Sequence, residues 1–126
     1  MTRSKGLVAA VALAALVLAA APAALAKDGD VRVAGSCTGS STSKLKLSEE
    51  NGRIEVEFEV DQNRNGVVWN VILKRNGVRV HQGAATTKRP SGSFTVRRLV
   101  TNGGGPDVIR AKATRAGQSC TAIATF

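Results

Sequence analysis

Downstream of residue 27, apolar side chains recur at every second position, in short runs broken by Gly, Asn and Pro. That rhythm belongs to strands with one dry and one wet face, not to helices. Ile54, Val56, Phe58 and Val60 alternate with Glu55, Glu57 and Glu59. After a turn at Gln62-Asn63-Arg64-Asn65-Gly66, Trp69, Val71 and Leu73 alternate with Asn70, Ile72 and Lys74. Asn76-Gly77 then supplies the two positive-φ residues of a type I′ hairpin, and Val78 and Val80 continue on the return strand. This register sets Lys74 across from Arg79 and puts His81 on an outer face beside Ile72. Lys88 to Gly92 reads as a loop, followed by a strand with Phe94 and Val96 inward and a flexible Thr101–Pro106 connection. A last hairpin at Ala116-Gly117 sets Ile109, Ala111 and Ala113 opposite Ala124, Ala122 and Cys120, a small-residue surface for Trp69, Phe58 and Phe94. Upstream, Leu45 and Leu47 alternate with Lys44 and Lys46, and Val31 to Gly35 reads as a further edge strand.

Seven or eight short strands with turn signals every 8 to 12 residues are the pattern of an all-β, two-sheet Greek-key sandwich, immunoglobulin-like or fibronectin-III-like in order. In that arrangement the strands holding Lys44, Ile54 and Phe94 form one sheet. Those holding Trp69, Val80, Ile109 and Cys120 form the other.

The N-terminus has a different grammar. Arg3 and Lys5 precede an apolar stretch from Leu7 to Leu18, and Ala24-Leu25-Ala26 is a small-x-small site, the order of features of a secretory signal peptide. Residues 1–26 are therefore expected to be removed and 27–126 to form one β-sandwich domain, secreted to the extracellular space. Gly6 to Ala26 is long enough to span a bilayer of roughly 30 Å. Its Ala-rich composition, Pro22 and the polar Lys27-Asp28-Gly29-Asp30 that follows argue against stable membrane insertion. Two cysteines in an exported chain predict one bridge, Cys37 to Cys120, with no third thiol to compete.

These are also the segments that carry a resemblance. Gly35-Ser36-Cys37, Ser43-Lys44-Leu45-Lys46, Gly52 to Val56 leading to Asp61-Gln62-Asn63, Trp69, Asn76-Gly77, Pro90 to Arg98 and Gly117 to Cys120 resemble an uncharacterised family of small secreted actinomycete proteins. The likeness runs over nearly all of residues 27–126 and is most specific from Ser91 to Arg98. It implies secretion, one disulfide and a β-sandwich, and carries over no catalytic residue, ligand or partner. A fainter similarity, to the apoproteins of enediyne chromoproteins, stops at size and sandwich, since those have two disulfides and an acidic balance.

Motifs for chemistry are sparse, and no catalytic residue, metal ligand or cofactor is assigned. His81 stands without a nucleophile placed near it by any motif. Glu55, Glu57 and Glu59 read as a structural ladder rather than catalytic carboxylates; with a turn at Glu49 to Gly52, Glu55 falls opposite Lys46 and Glu57 opposite Lys44, and Arg97 flanks them on the far side. Asp61 to Gly66 matches half an EF-hand loop, but position twelve is Ile72 where a bidentate Glu is required. Gly103-Gly104-Gly105 lacks the Lys and helix of a phosphate loop.

Charge is the remaining signal. With Arg3 and Lys5 removed from the chain's 18 cations, 16 stand against 9 acids, a net charge of +7. On the second sheet the outward positions include Lys74, Arg79, Arg110 and Lys112, with no acidic residue assigned among them. Like charges facing across a hairpin cost stability, which a partner can offset. The expected partner of this face, joined by Lys88 and Arg89 from the loop, is a polyanion: a wall polymer, an acidic polysaccharide or extracellular nucleic acid. Reading of nucleic-acid sequence is not expected, because no helix or aromatic platform is available for it. The alternative is a protease-inhibitor-like module presenting Lys88 to Gly92, stiffened by Pro90, or Thr101 to Pro106. In either case the domain is expected to be monomeric and non-enzymatic.

Overall fold

A computed structural model describes residues 29–126. The expected signal peptide of residues 1–26, with Lys27 and Asp28 of the expected domain, lies outside the described residues. Nine strands follow one another without a helix among them: β1 (Val31–Ala34), β2 (Ser36–Cys37), β3 (Thr42–Glu50), β4 (Arg53–Asp61), β5 (Val68–Arg75), β6 (Val78–Thr86), β7 (Ser93–Thr101), β8 (Val108–Arg115) and β9 (Gln118–Thr125). They form two antiparallel sheets in the orders β1-β3-β4-β7 and β2-β9-β8-β5-β6. The longer strands, seven in number, divide as β3-β4-β7 against β6-β5-β8-β9, the three-on-four arrangement of a fibronectin-III-like Greek key. β1 and the two-residue β2 extend the outer edges, so the segment around Gly35 passes from one sheet to the other.

The partition follows from the two-residue alternation, because each strand has one apolar face to bury. Leu45, Leu47, Ile54, Val56, Phe58 and Val60 from the first sheet meet Trp69, Val71, Leu73, Ile109, Ala111 and Ala113 from the second, all at most 1% exposed. In the last hairpin, Ile109, Ala111 and Ala113 lie opposite Ala124, Ala122 and Cys120, as the alternation predicts. These small side chains leave room for Trp69, whose ring stands 6.5 Å from that of Phe94 at a tilt of 55°. The indole N–H donates to Gln62 Oε1 at 3.1 Å, so the largest core side chain buries no unpaired donor. Cys37 and Cys120 are paired across β2 and β9 and joined as a disulfide.

Two registers differ from expectation. The β3–β4 hairpin turns on Asn51-Gly52 alone, with φ of 48° and 78°, so β3 runs on through Glu49 and Glu50. Lys46 consequently pairs with Glu57 and Lys44 with Glu59, a shift of two that keeps every side chain on its expected face. Four ion pairs run across this outer surface: Lys44–Glu59 at 3.3 Å, Lys46–Glu57 at 3.9 Å, Arg97–Glu57 at 2.5 Å and Arg97–Glu55 at 3.8 Å. Burial pushes the Glu57 carboxyl up, but hydrogen bonds with Arg97 and Glu55 and the charges of Arg97 and Lys46 outweigh it, leaving the group below its ordinary value.

The second difference lies in β6. Asn76-Gly77 makes the expected turn, with φ of 48° and 80°, and Lys74 does face Arg79. The next partners are Leu73 with His81 and Ile72 with Gln82, so Val80 is an extra residue, a β-bulge on the edge strand. One inserted residue exchanges the faces of everything beyond it. His81 therefore sits opposite buried Leu73, not on the outer face beside Ile72, while Val80 is 43% exposed.

Candidate functional site

Three neighbouring strands build the charged surface. Lys74 on β5 has Arg79 of β6 as its partner on one side and Arg110 of β8 on the other, and Arg110 in turn faces Ile123 of β9. With strands about 4.8 Å apart, three cations fall within roughly 10 Å across the sheet. Two residues along, the next row runs Gln82, Ile72, Lys112, Thr121. Lys74, Arg110 and Lys112 wall a shallow depression of about 190 Å³ floored by Ile72. All four cations are exposed, and none is ion-paired with a described residue. Arg79 is steadied by Gln82 Oε1 at 2.5 Å.

All of the strands' acidic residues lie on one sheet. Strands of the first sheet carry six cations (Arg32, Lys44, Lys46, Arg53, Arg97, Arg98) and six acids (Glu49, Glu50, Glu55, Glu57, Glu59, Asp61). Strands of the second carry six cations (Lys74, Arg75, Arg79, Arg110, Lys112, Arg115) and no acid. Of these six, Arg75 is neutralised by Asp107 in the loop before β8, with Nε and Nη2 both 2.7 Å from Oδ1. Asp107 is 1% exposed and also accepts from Gly103 N at 3.1 Å, which ties down the Thr101–Pro106 connection. The other five face no counter-charge on their own sheet. Like charges directly opposite each other across strands are destabilising, so the row Arg79–Lys74–Arg110 works against stability.

Lys88 and Arg89, expected to join this face, stand apart from it. β5 and β6 separate Lys74, near one end of their hairpin, from Lys88, just past the other; six residues of strand make this about 20 Å. Lys88 instead borders a groove of about 480 Å³ between the edges of β6 and β7. The loop itself is a closed turn: Lys88 N donates to Ser93 O and Gly92 N to Lys88 O, both at 2.9 Å, and Gln62 N donates to Gly92 O at 3.0 Å. Within that turn Lys88, Arg89, Pro90 and Ser91 are exposed.

The EF-hand-like turn is likewise internally consumed. Asp61 Oδ1 accepts Asn63 N at 2.9 Å, and Thr87 Oγ1 donates to Arg64 O at 2.5 Å while accepting Val67 N at 2.9 Å. Among the described residues no group of three or more His, Cys, Asp or Glu is placed to hold a metal ion. Family models and the curated proteins give no match to this chain.

Proposed function

We propose that the protein is exported and works as a monomeric, non-enzymatic module that holds an extracellular polyanion against the outer face of β6-β5-β8-β9. The observation that carries this reading is the segregation of charge: the entire excess on strands lies on one sheet, where Lys74, Arg79, Arg110 and Lys112 converge without a counter-ion. A surface charged only for solubility has no need to concentrate cations in register, where they repel. The face sets Ile72 among its cations and Ile123 beside Arg110, with no aromatic side chain, so it suits a repeating anionic backbone rather than a base or a sugar ring. The disulfide fits an oxidising compartment, and the N-terminal sequence supplies the export signal.

Binding to an anionic polymer such as single-stranded DNA or polyuronate tests this. Four engaged cations give a slope of about −3 in log K against log salt, or roughly a hundredfold loss between 50 and 200 mM. Lys74→Glu/Arg79→Glu is expected to abolish the salt-sensitive binding. Unchanged binding by that variant, or a slope near zero, overturns the proposal.

A further inference from the structure

A sandwich is normally sealed on its sides by large residues of the edge strands. Here the inward positions of β6 beyond the bulge are His81, Gly83 and Ala85, which pair with Leu73, Val71 and Trp69. The small side chains leave the side facing β7 open, and the groove of about 480 Å³ is the result. Phe94 and Val96 of β7, which border it, are among the more exposed of the core residues, at 7% and 8%. Its polar side chains are basic or hydroxyl-bearing, with no carboxylate among them.

Within this groove one guanidinium is held in place. Arg98 Nε donates to His81 Nδ1 at 3.1 Å, and Arg98 Nη1 donates to the backbone oxygen of Arg97 at 2.7 Å. Only two of its five N–H groups are used. Because His81 Nδ1 accepts, the neutral ring carries its proton on Nε2 and adds a second donor. Lys88, which pairs with Ser93, lies at the opposite end of the groove, five strand residues or about 17 Å along β7 from Arg98. The Arg97 guanidinium, by contrast, is engaged by Glu57 and Glu55 on the outer face. The bulge at Val80 is what turns His81 inward to meet Arg98, the re-aiming of a side chain that bulges near binding sites perform.

We infer that the groove between β6 and β7 binds a small organic anion, its charged head on Arg98 and His81 and its compact apolar body against Val96 and Phe94. The charged and imidazole groups at the Arg98 end are donors with no carboxylate beside them in the groove, which favours an anionic head over a neutral one. Its volume lies within the 300–1,000 Å³ typical of small-molecule sites. It is separate from the outer sheet face in position and does not depend on the polyanion reading.

His81 is the chain's sole histidine, so its ring protons report on the groove without ambiguity. The experiment is an NMR titration of the full domain with phenyl phosphate and, separately, benzoate, with phenol and inorganic phosphate as comparisons. At least one aryl anion is expected to shift the His81 ring signals saturably and raise the imidazole pKa, while phenol leaves them in place and inorganic phosphate binds about tenfold more weakly. Arg98→Ala, an exposed position, is expected to weaken binding about tenfold or more. Ala85→Leu, which fills the groove without touching its charges, is expected to do the same. Lys74→Glu/Arg79→Glu is expected to leave it unchanged. No shift with either aryl anion at 10 mM overturns the inference. So does equal binding of inorganic phosphate, full binding by Arg98→Ala or Ala85→Leu, or loss of binding in Lys74→Glu/Arg79→Glu.

Discussion

Removing the Cys37–Cys120 bridge is expected to cost this domain a large share of its stability. The bridge joins positions 83 residues apart, and β2, which it anchors, is only two residues long. In the chain-entropy description, freeing a loop of that length releases about 15 cal/mol/K in the unfolded ensemble, or about 4.5 kcal/mol at 25 °C. A domain of this size is stable by some 5–15 kcal/mol in all. The clean perturbation is Cys37→Ala/Cys120→Ala, since Cys120 is fully buried and a Ser there would add an unpaired hydroxyl. Urea unfolding followed by fluorescence of Trp69, buried between the sheets, reads the change. With m near 1.5 kcal/mol/M, the midpoint falls by about 3 M. A midpoint within about 0.5 M of the parent, or coincident melts with and without reductant, would refute the reasoning.

Other expectations follow from particular contacts. Asp107→Ala strands the half-buried Arg75 guanidinium and releases Gly103 N; a loss of about 3–5 kcal/mol is expected in denaturant titration, with Asp107→Asn retaining part of it. Gly92→Ala places a Cβ against the backbone of Asn63 and Arg64 at a φ of +69°, so a loss above about 2 kcal/mol is expected, and an unchanged melt would mean that the Lys88–Ser93 turn moves freely. Burial, and then the Arg98 charge, hold the His81 imidazole below its ordinary 6.5. A lowered histidine value means that the unfolded chain takes up the proton first. Stability should therefore be full above pH 6.5 and decline as pH falls toward the folded value, a slope absent in His81→Asn. Glu57 has the opposite course: its depressed carboxyl contributes stability above the ordinary value of 4.5 that is lost as pH falls through the folded value, and Glu57→Gln should flatten that acid limb.

The division of strands between sheets was legible because every strand in the core has an apolar face at period two, and burial leaves it one orientation. The Ile109–Ala113 and Cys120–Ala124 pairing was legible for the same reason, helped by a two-residue turn. Where the sequence misled, turn chemistry or an edge was involved. Asn51-Gly52 carries the same I′ signal as Asn76-Gly77, yet Glu49 and Glu50 ahead of it look like loop residues and hide two further rungs of ladder. The bulge at Val80 has no signature, since Val78, Val80 and the small residues after them satisfy either register on an edge strand. That one residue concealed the His81–Arg98 contact and with it the groove. The basic row on the second sheet was legible from alternation alone, whereas the distance of Lys88 from it depends on the length of β6, which the sequence leaves open.

The most direct test of the polyanion reading is a backbone amide NMR map of the domain titrated with an anionic oligomer at low salt. Perturbations confined to Lys74, Arg79, Arg110, Lys112 and their neighbours on β5, β6 and β8 are the expected result. Shifts centred on the Glu55–Glu59 face of β4, or none that salt reverses, would contradict it.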